Sequence, residues 1–351
     1  MRWSFAARAT RAIEEPPAEK QQQRRMLFWI VVLTGSTLLP ACTQEQSRLP
    51  SRTETGAAEQ EAVSPPLFDS ENAYRLIERQ LSFGPRAPGL PGHDDCRRFL
   101  RQFLSQYADT VFEQRFSQEV YGKQLVLTNI GASFRPEHST RILFCAHWDT
   151  RPFADEDPDP AKRTLPILGA NDGASGTAVL LELARLMART PPPIGVDILL
   201  VDGEDYGKAT DLANFCLGSR YAARRYPFPV SPQWVIVVDL VGDREAWFPW
   251  EEYSWRSAPE LLQEIWSLGS QIAPEKFRHT RYAPIFDDHV PFIEAGWRAV
   301  LIIDAELVGN QSPSIRRRYW HTHRDVIENI STESLHAVGQ TLVNWLYRRA
   351  W

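Results

Sequence analysis

Cysteine is scarce in this chain of 351 residues: there are four, and Cys42 stands apart at the end of a leader-like segment. The other three, Cys96, Cys145 and Cys216, allow at most one bridge, which excludes a disulfide-stapled scaffold, and none has the spacing of a thiolate metal cluster. Cys145 and Cys216 sit in apolar contexts and are expected to be buried small residues. The apolar run from Leu27 to Leu39 is too short and too early to span a membrane. No basic patch with interleaved aromatics occurs, so nucleic acid is not an expected partner. Internal repeats are also missing, and nothing in the composition suggests a second folded domain.

Arg24 and Arg25 precede the Leu27–Leu39 run, which closes with Leu39, Pro40, Ala41 and Cys42. The pattern resembles a bacterial lipoprotein signal, whose final cysteine becomes acylated; a plain cleavable signal peptide is the alternative. Residues 1–41 are therefore expected to be a signal segment, with lipidation at Cys42 and a location in the bacterial cell envelope. Six basic and three acidic side chains lie in that segment, so its removal takes the formal charge from −5 to −8. An acidic protein is not drawn to anionic lipid by charge, so membrane attachment would depend on the lipid anchor. Residues 43–66 are rich in Ser, Thr, Glu, Gln and Pro, the composition of a solvated tether. A tether over 42–67 and one folded catalytic domain over 68–351 are the expected organisation.

Asp69 and Ser70 are placed to cap a helix over 71–81, and a second helix is expected over 94–107. Strands are predicted over 111–116 and 125–134, which can pair as a hairpin, and over 141–147, 196–201, 234–240 and 300–304. Helices are predicted over 174–188, 215–224 and 259–268, and a last one from Ser331 through Leu346. Continuous Val, Ile and Leu strands alternating with helices predict an α/β single domain. Its twisted central sheet should be mixed but mostly parallel and flanked by helices on both faces. Of the twelve tryptophans, Trp247, Trp250, Trp255 and Trp320 cluster in the C-terminal half, where they either line a pocket or fill the core.

Six acidic and histidine islands occur in order: His147 with Asp149, Asn171–Asp172–Gly173, Glu204–Asp205, Asp239, Asp287–Asp288–His289 and Trp320–His321. In open α/β sheets ligands collect beyond the carboxyl ends of the strands, and His147, Asp149, Glu204, Asp205 and Asp239 occupy such ends. Each island has an ordinary explanation. Asp172 alone is a common helix N-cap, Glu204–Asp205 a solvated turn, Asp287–Asp288 an acidic first turn, and His321 a satisfied histidine. Six coincidences at one sheet edge are harder to accept than one Zn²⁺ site with a carboxylate base beside it.

The ordered set His-x-Asp, Asn-Asp-Gly-Ala-Ser-Gly, Glu-Asp, a strand-end Asp and Trp-His-Thr resembles the zinc aminopeptidase and glutaminyl cyclase superfamily over roughly residues 68–350. That resemblance implies a zinc exopeptidase-like fold. It implies Asp172, Asp205 and His321 as zinc ligands and Glu204 as the catalytic carboxylate. His147 and Asp239 match positions that hold a second zinc in the aminopeptidases, and Asp149 would orient His147 through its other ring nitrogen. The Asp287–Asp288–His289 island and Trp320 tilt the resemblance toward the bacterial glutaminyl-peptide cyclotransferase-like branch. Asp288 and Asp239 would then join Glu204 in catalysis, and Trp320 would wall the substrate pocket. Two departures stand out. Animal cyclases carry Glu-Glu where this chain has Glu204–Asp205, and the indole that closes their pocket has no counterpart in Tyr206–Leu212.

The expected activity is zinc-dependent conversion of N-terminal glutamine to pyroglutamate with release of ammonia, on peptides or proteins with a free N-terminus. The alternative is a dinuclear zinc aminopeptidase that releases N-terminal residues, and a third possibility is a binding module that retains the fold. The acidic segment 152–166 is either a loop framing the pocket or a plain charged surface.

Overall fold

A computed structural model describes residues 64–351; the expected signal segment, Cys42 and most of the tether lie outside the described residues. The Asp69 carboxylate accepts from the Asn72 amide and starts α1 (Ser70–Leu81), as the sequence predicts. The next helix, α2 (Pro91–Leu104), begins three residues before the expected start, because Pro91 at its first turn has φ already set for a helix and lacks an N–H to satisfy.

The strands β1 (Thr110–Val120) and β2 (Lys123–Phe134) form the expected antiparallel hairpin through Tyr121 and Gly122, both at positive φ. Then follow β3 (Arg141–His147), α3 (Ala174–Arg189), β4 (Gly195–Val201), α4 (Leu217–Arg224) and β5 (Val235–Asp239). The region after β5 holds elements the sequence pattern does not reveal, β6 (Phe248–Glu251), α5 (Glu252–Ser257) and β7 (Phe277–Tyr282), and α7 (His289–Glu294), a helix that starts directly after Asp288. Between them lies the expected α6, extended to Pro259–Ile272, and β8 (Ala299–Ile303) and α8 (Thr332–Arg348) complete the domain. β6 and β7 form a separate two-stranded parallel sheet.

The main sheet has six strands in the order β1-β2-β4-β3-β5-β8, and only β2 runs against the others. β3 is wholly buried, and its side chains divide between two cores. Ile142, Phe144 and Ala146 pack with α1, α2, α3, α6 and α8, whereas Leu143 and Cys145 pack with Ala222 of α4 and Phe292 of α7. β4, which follows β3, lies on one side of it, and β5 lies on the other. The strand order therefore reverses at the end of β3, where an open α/β sheet forms its crevice. Cys96, Cys145 and Cys216 are all buried and free. Among the described residues no helix is long and apolar enough to cross a membrane.

Candidate metal-dependent active site

At that crevice the chain gathers residues from five separate segments. His147 ends β3 and Asp239 ends β5; Glu204 and Asp205 form the turn after β4; Asp172 precedes α3. His321 comes from the long connection between β8 and α8, with φ +56, a left-handed conformation uncommon for a side chain of this size. Asp172 does not cap α3. That place belongs to Gly173 at φ +87, where a Cβ would lie 2.6 Å from the Asp149 carbonyl oxygen and 3.0 Å from the His147 ring.

Two overlapping groups result, His147–Asp172–Asp239 and Asp172–Asp205–His321. Within each, one ligand atom per residue lies within 4.8 Å of the others, and all five residues are buried. In the first group His147 Nε2 is 3.0 Å from Asp239 Oδ1 and 3.3 Å from Asp172 Oδ1. In the second, His321 Nε2 is 3.3 Å from Asp205 Oδ1 and 3.7 Å from Asp172 Oδ2. Burial and the adjacent Asp205 raise the Asp172 pKa, against the pull of His147. Burial also opposes charge on Asp205, but His321 and Arg151 outweigh it and hold its carboxyl at about 2. Burial likewise opposes charge on His147, yet Asp239, Asp149 and Asp172 together keep its pKa well above the ordinary imidazole value.

The donor set fits a divalent cation. Asp205 Oδ2 is buried without any hydrogen-bond partner, and one oxygen each from Asp172 and Asp205 and a ring nitrogen of His321 lie within 4.8 Å of one another. Two carboxylates with one histidine and an open position is a set that Zn²⁺ accepts. Asp205 Oδ1 is held by Arg151, whose guanidinium donates to it at 2.7 Å and to both oxygens of Asp155 at 2.7 and 2.6 Å.

Asp149 departs from its expected partner. It lies 3.6 Å from His147 Nδ1, too far for a hydrogen bond, and instead accepts from the backbone amides of Glu204 (3.1 Å) and Asp205 (3.4 Å). The carboxylate is used to shape the turn after β4, and His147 Nδ1 is left unpartnered. His323 likewise turns from the site and meets Asp157 at 3.1 Å.

Glu204 lines a recess of about 60 Å³ together with Asp172, Asp205, Asp239, Asp287, His321 and Trp320, with Leu240, Ile285, Phe286 and Ile303 as apolar lining. Burial raises the Glu204 pKa well above the usual range; His147 pulls it down, while Asp205, Asp288 and Asp287 push it further up. Asp287, not Asp288, faces the recess. Asp288 is fully buried behind it and accepts from the Ser219 hydroxyl, and burial raises its pKa to about 7 despite His147 and that hydrogen bond. A neighbouring groove of about 270 Å³ shares Trp320 and His321 with the recess and is also lined by Arg151, Asp155, Glu156, Leu212, Phe215 and Phe286. Part of the acidic segment 152–166 thus lines the groove. Trp320 lines both spaces, whereas Trp250 and Trp255 stack on each other (5.5 Å, 8°) beside the small sheet.

Several supports carry no sequence motif. Asp325 accepts from the backbone amides of Asn171 (2.8 Å) and Asp172 (3.0 Å). Buried Arg86 donates to the carbonyls of Trp148, Leu168 and Gly169 and ties two site loops together. Asn171 donates to Tyr319 (3.1 Å), Tyr319 to Asp243 (2.8 Å), and Arg317 pairs with both Asp243 and Asp304. The segment before His321 is thereby fixed to the segment before Asp172.

A mostly parallel α/β domain with buried carboxylates and histidines at the carboxyl edge of its sheet has the build of a zinc exopeptidase-like protein. The chain belongs to peptidase family M28, whose model matches residues 129–346. It is 26% identical over 292 residues to the glutaminyl-peptide cyclotransferase of Gloydius blomhoffii, covering 73% of this chain and 75% of that protein. Among solved structures it resembles a glutaminyl cyclase of Bacteroides thetaiotaomicron bound to N-acetylhistamine (35% identity, TM-score 0.77, 82% of this chain and 100% of that one). A Zn-dependent exopeptidase from Parabacteroides distasonis is equally similar (36% identity, TM-score 0.77, 82% and 100%).

Proposed function

We propose that the protein is a zinc-dependent glutaminyl-peptide cyclotransferase that closes N-terminal glutamine to pyroglutamate and releases ammonia. The observation that carries this reading is the recess itself. It is a small space with apolar walls, lined also by a carboxylate of raised pKa and by the Asp172–Asp205–His321 group. Those three residues would hold Zn²⁺, which supplies Lewis acidity toward the carboxamide carbonyl. Trp320, Ile285 and Phe286 enclose the glutamine methylenes and exclude water, which favours attack by the substrate's own amine. Asp239 uses Oδ1 for His147 and the Leu240 amide, so its other oxygen is available to orient that amine. A free α-amine has a pKa of about 7.7–8.0, so much of it is neutral at mild pH. Glu204 takes the remaining proton and returns it to the departing amide nitrogen, a transfer suited to a carboxyl of raised pKa. Burial keeps the Glu204 pKa high, and Asp205 and Asp288 add to the effect.

The His147–Asp172–Asp239 group supports a second reading, a dinuclear aminopeptidase in which Glu204 activates water. One experiment separates the two: purified residues 43–351, zinc-loaded, incubated with a peptide bearing free N-terminal glutamine and followed by mass spectrometry. Loss of one ammonia with the peptide bond intact, abolished by chelator, is expected; release of a free N-terminal residue would establish the peptidase. For the N-terminal segment we propose a signal and a lipid anchor at Cys42 that place the domain in the bacterial cell envelope. Cys42→Ser should abolish lipid labelling and release the chain from membranes.

A further inference from the structure

We propose that the first turn of α4 is a positioning element for two carboxylates of the site, the half-buried Glu204 and the buried Asp288, with Cys216 holding Glu204 and Ser219 holding Asp288. The inference rests on Glu204 as the proton carrier, a role it has under either enzymatic reading.

The turn after β4 and the start of α4 are sewn together by the backbone. The Cys216 amide donates to the Glu204 carbonyl at 2.8 Å and the Leu217 amide to the Gly203 carbonyl at 3.2 Å. Cys216 enters the helix at φ +56, a conformation that costs energy for a non-glycine residue and is kept here by those bonds. It leaves the thiol beside the base: Sγ–H donates to Glu204 Oε1 at 3.4 Å, within the range for sulfur. One helical turn later, Ser219 places its hydroxyl on Asp288 Oδ1. The turn can approach so closely because residue 218 is glycine. A Cβ there would lie 2.4 Å from Asn129 Oδ1 and 2.6 Å from the Asp202 backbone. Asn129 locks the arrangement, donating to the Gly218 carbonyl at 2.9 Å while accepting from the Asp202 amide at 3.0 Å. Cys216, Ser219 and Asp288 are fully buried, so water cannot take the place of Ser219 on Asp288, and the thiol meets Glu204 from the side away from solvent. Without them two adjacent negative groups lose their fixed orientations, and the proton acceptor no longer faces the substrate amine.

The test compares Cys216→Ala with Cys216→Ser and Ser219→Ala with Ser219→Thr, in zinc-loaded protein. Rates are read as both ammonia and free amino acid released, with zinc content measured alongside. Cys216→Ala should lower kcat about tenfold with KM and zinc unchanged, and Cys216→Ser should restore it to within about threefold. Ser219→Ala should cost about ten- to a hundredfold in kcat, with recovery in Ser219→Thr. The infrared S–H stretch of Cys216, assigned by its loss in Cys216→Ser, should lie at the lowered frequency of a hydrogen-bonded thiol and move up in Glu204→Ala. An S–H band unmoved by Glu204→Ala, or Ala and Ser variants with equal kcat, would overturn the proposal. A wild-type protein that turns over neither substrate would sink the functional reading, while the infrared shift would still decide the thiol contact.

Discussion

The two candidate ligand groups share Asp172 but are built differently. Around Asp205 and His321 the protein supplies a guanidinium on one carboxylate oxygen and leaves the other buried and unpartnered. Around His147 and Asp239 the two atoms that would meet a cation bond to each other at 3.0 Å, and Asp239 Oδ1 also accepts from the Leu240 amide; the unpartnered atom there is His147 Nδ1, the ring nitrogen on the Asp149 side. A buried unpaired oxygen costs free energy unless something arrives to meet it, whereas an internally bonded pair is stable as it stands. Similar sets of ligand atoms can thus differ in how much they require a cation. The Asp172–Asp205–His321 group requires one more.

The largest expected effect ignores that asymmetry and tests the proton carrier common to both readings. Glu204→Gln should lower kcat by about 10³-fold while bound zinc, counted by plasma mass spectrometry, stays unchanged. Near-normal turnover would remove Glu204 from the chemistry. Next, His321→Ala should weaken zinc binding, measured against a chromogenic chelator, by more than the roughly 10–100-fold that outer partners cost. If His147→Asn instead gave the larger loss, the two groups would exchange roles. Third, Asp239→Asn should keep one zinc per chain; a fall from two to one would mark a dinuclear centre. A smaller effect is expected from Tyr319→Phe, which removes the hydroxyl between Asn171 and Asp243. The cost should be about 1–2 kcal/mol, seen as a fall in Tm of ~2–4 °C for a domain of this size.

The smallest effect concerns a pair outside both groups. His93 Nε2 lies 2.9 Å from Asp202, and its ring stacks on Trp148. Burial lowers the His93 pKa, but the Asp202 carboxylate more than offsets this and the net shift is upward. A folded-state pKa above the unfolded value of about 6.5 means the stability is fully present below that pH and is lost as pH rises through the folded value. The urea midpoint should therefore decline with rising pH above neutrality, and His93→Gln should flatten the decline. An equally steep slope in the variant would assign it to other groups.

Much of the sheet was legible because its strands are buried on both faces and read as apolar runs; the predicted 141–147 strand coincides with β3. Asp172, Asp205, Asp239 and His321 were legible as candidates because they end such runs or stand in short motifs. The second sheet was not. β7 reads Phe-Arg-His-Thr-Arg-Tyr with only its first residue buried, so it has neither alternation nor an apolar run. The helix expected at 215 begins at Leu217 because Cys216 takes a left-handed conformation that composition does not announce. Arg86, Asp325, Tyr319 and Ser219 escaped for a different reason: their importance lies in partners far along the chain, and no local pattern records such a pairing.

The hydrogen bonds from the Asn171 and Asp172 amides to Asp325 have a consequence for the order in which the protein assembles. They close a loop of 153 residues between Asp172 and Asp325. Contacts of that separation form late, after the local hairpin and the helix–strand units, since the entropy of closing the loop must be met first. Half-made chains emerging from a ribosome hold Asp172 and Asp205 but lack His321 and the anchor at Asp325. Cation capture at the candidate site would then be a final event that reports complete folding, and a chelator added during refolding should leave the folding rate unchanged.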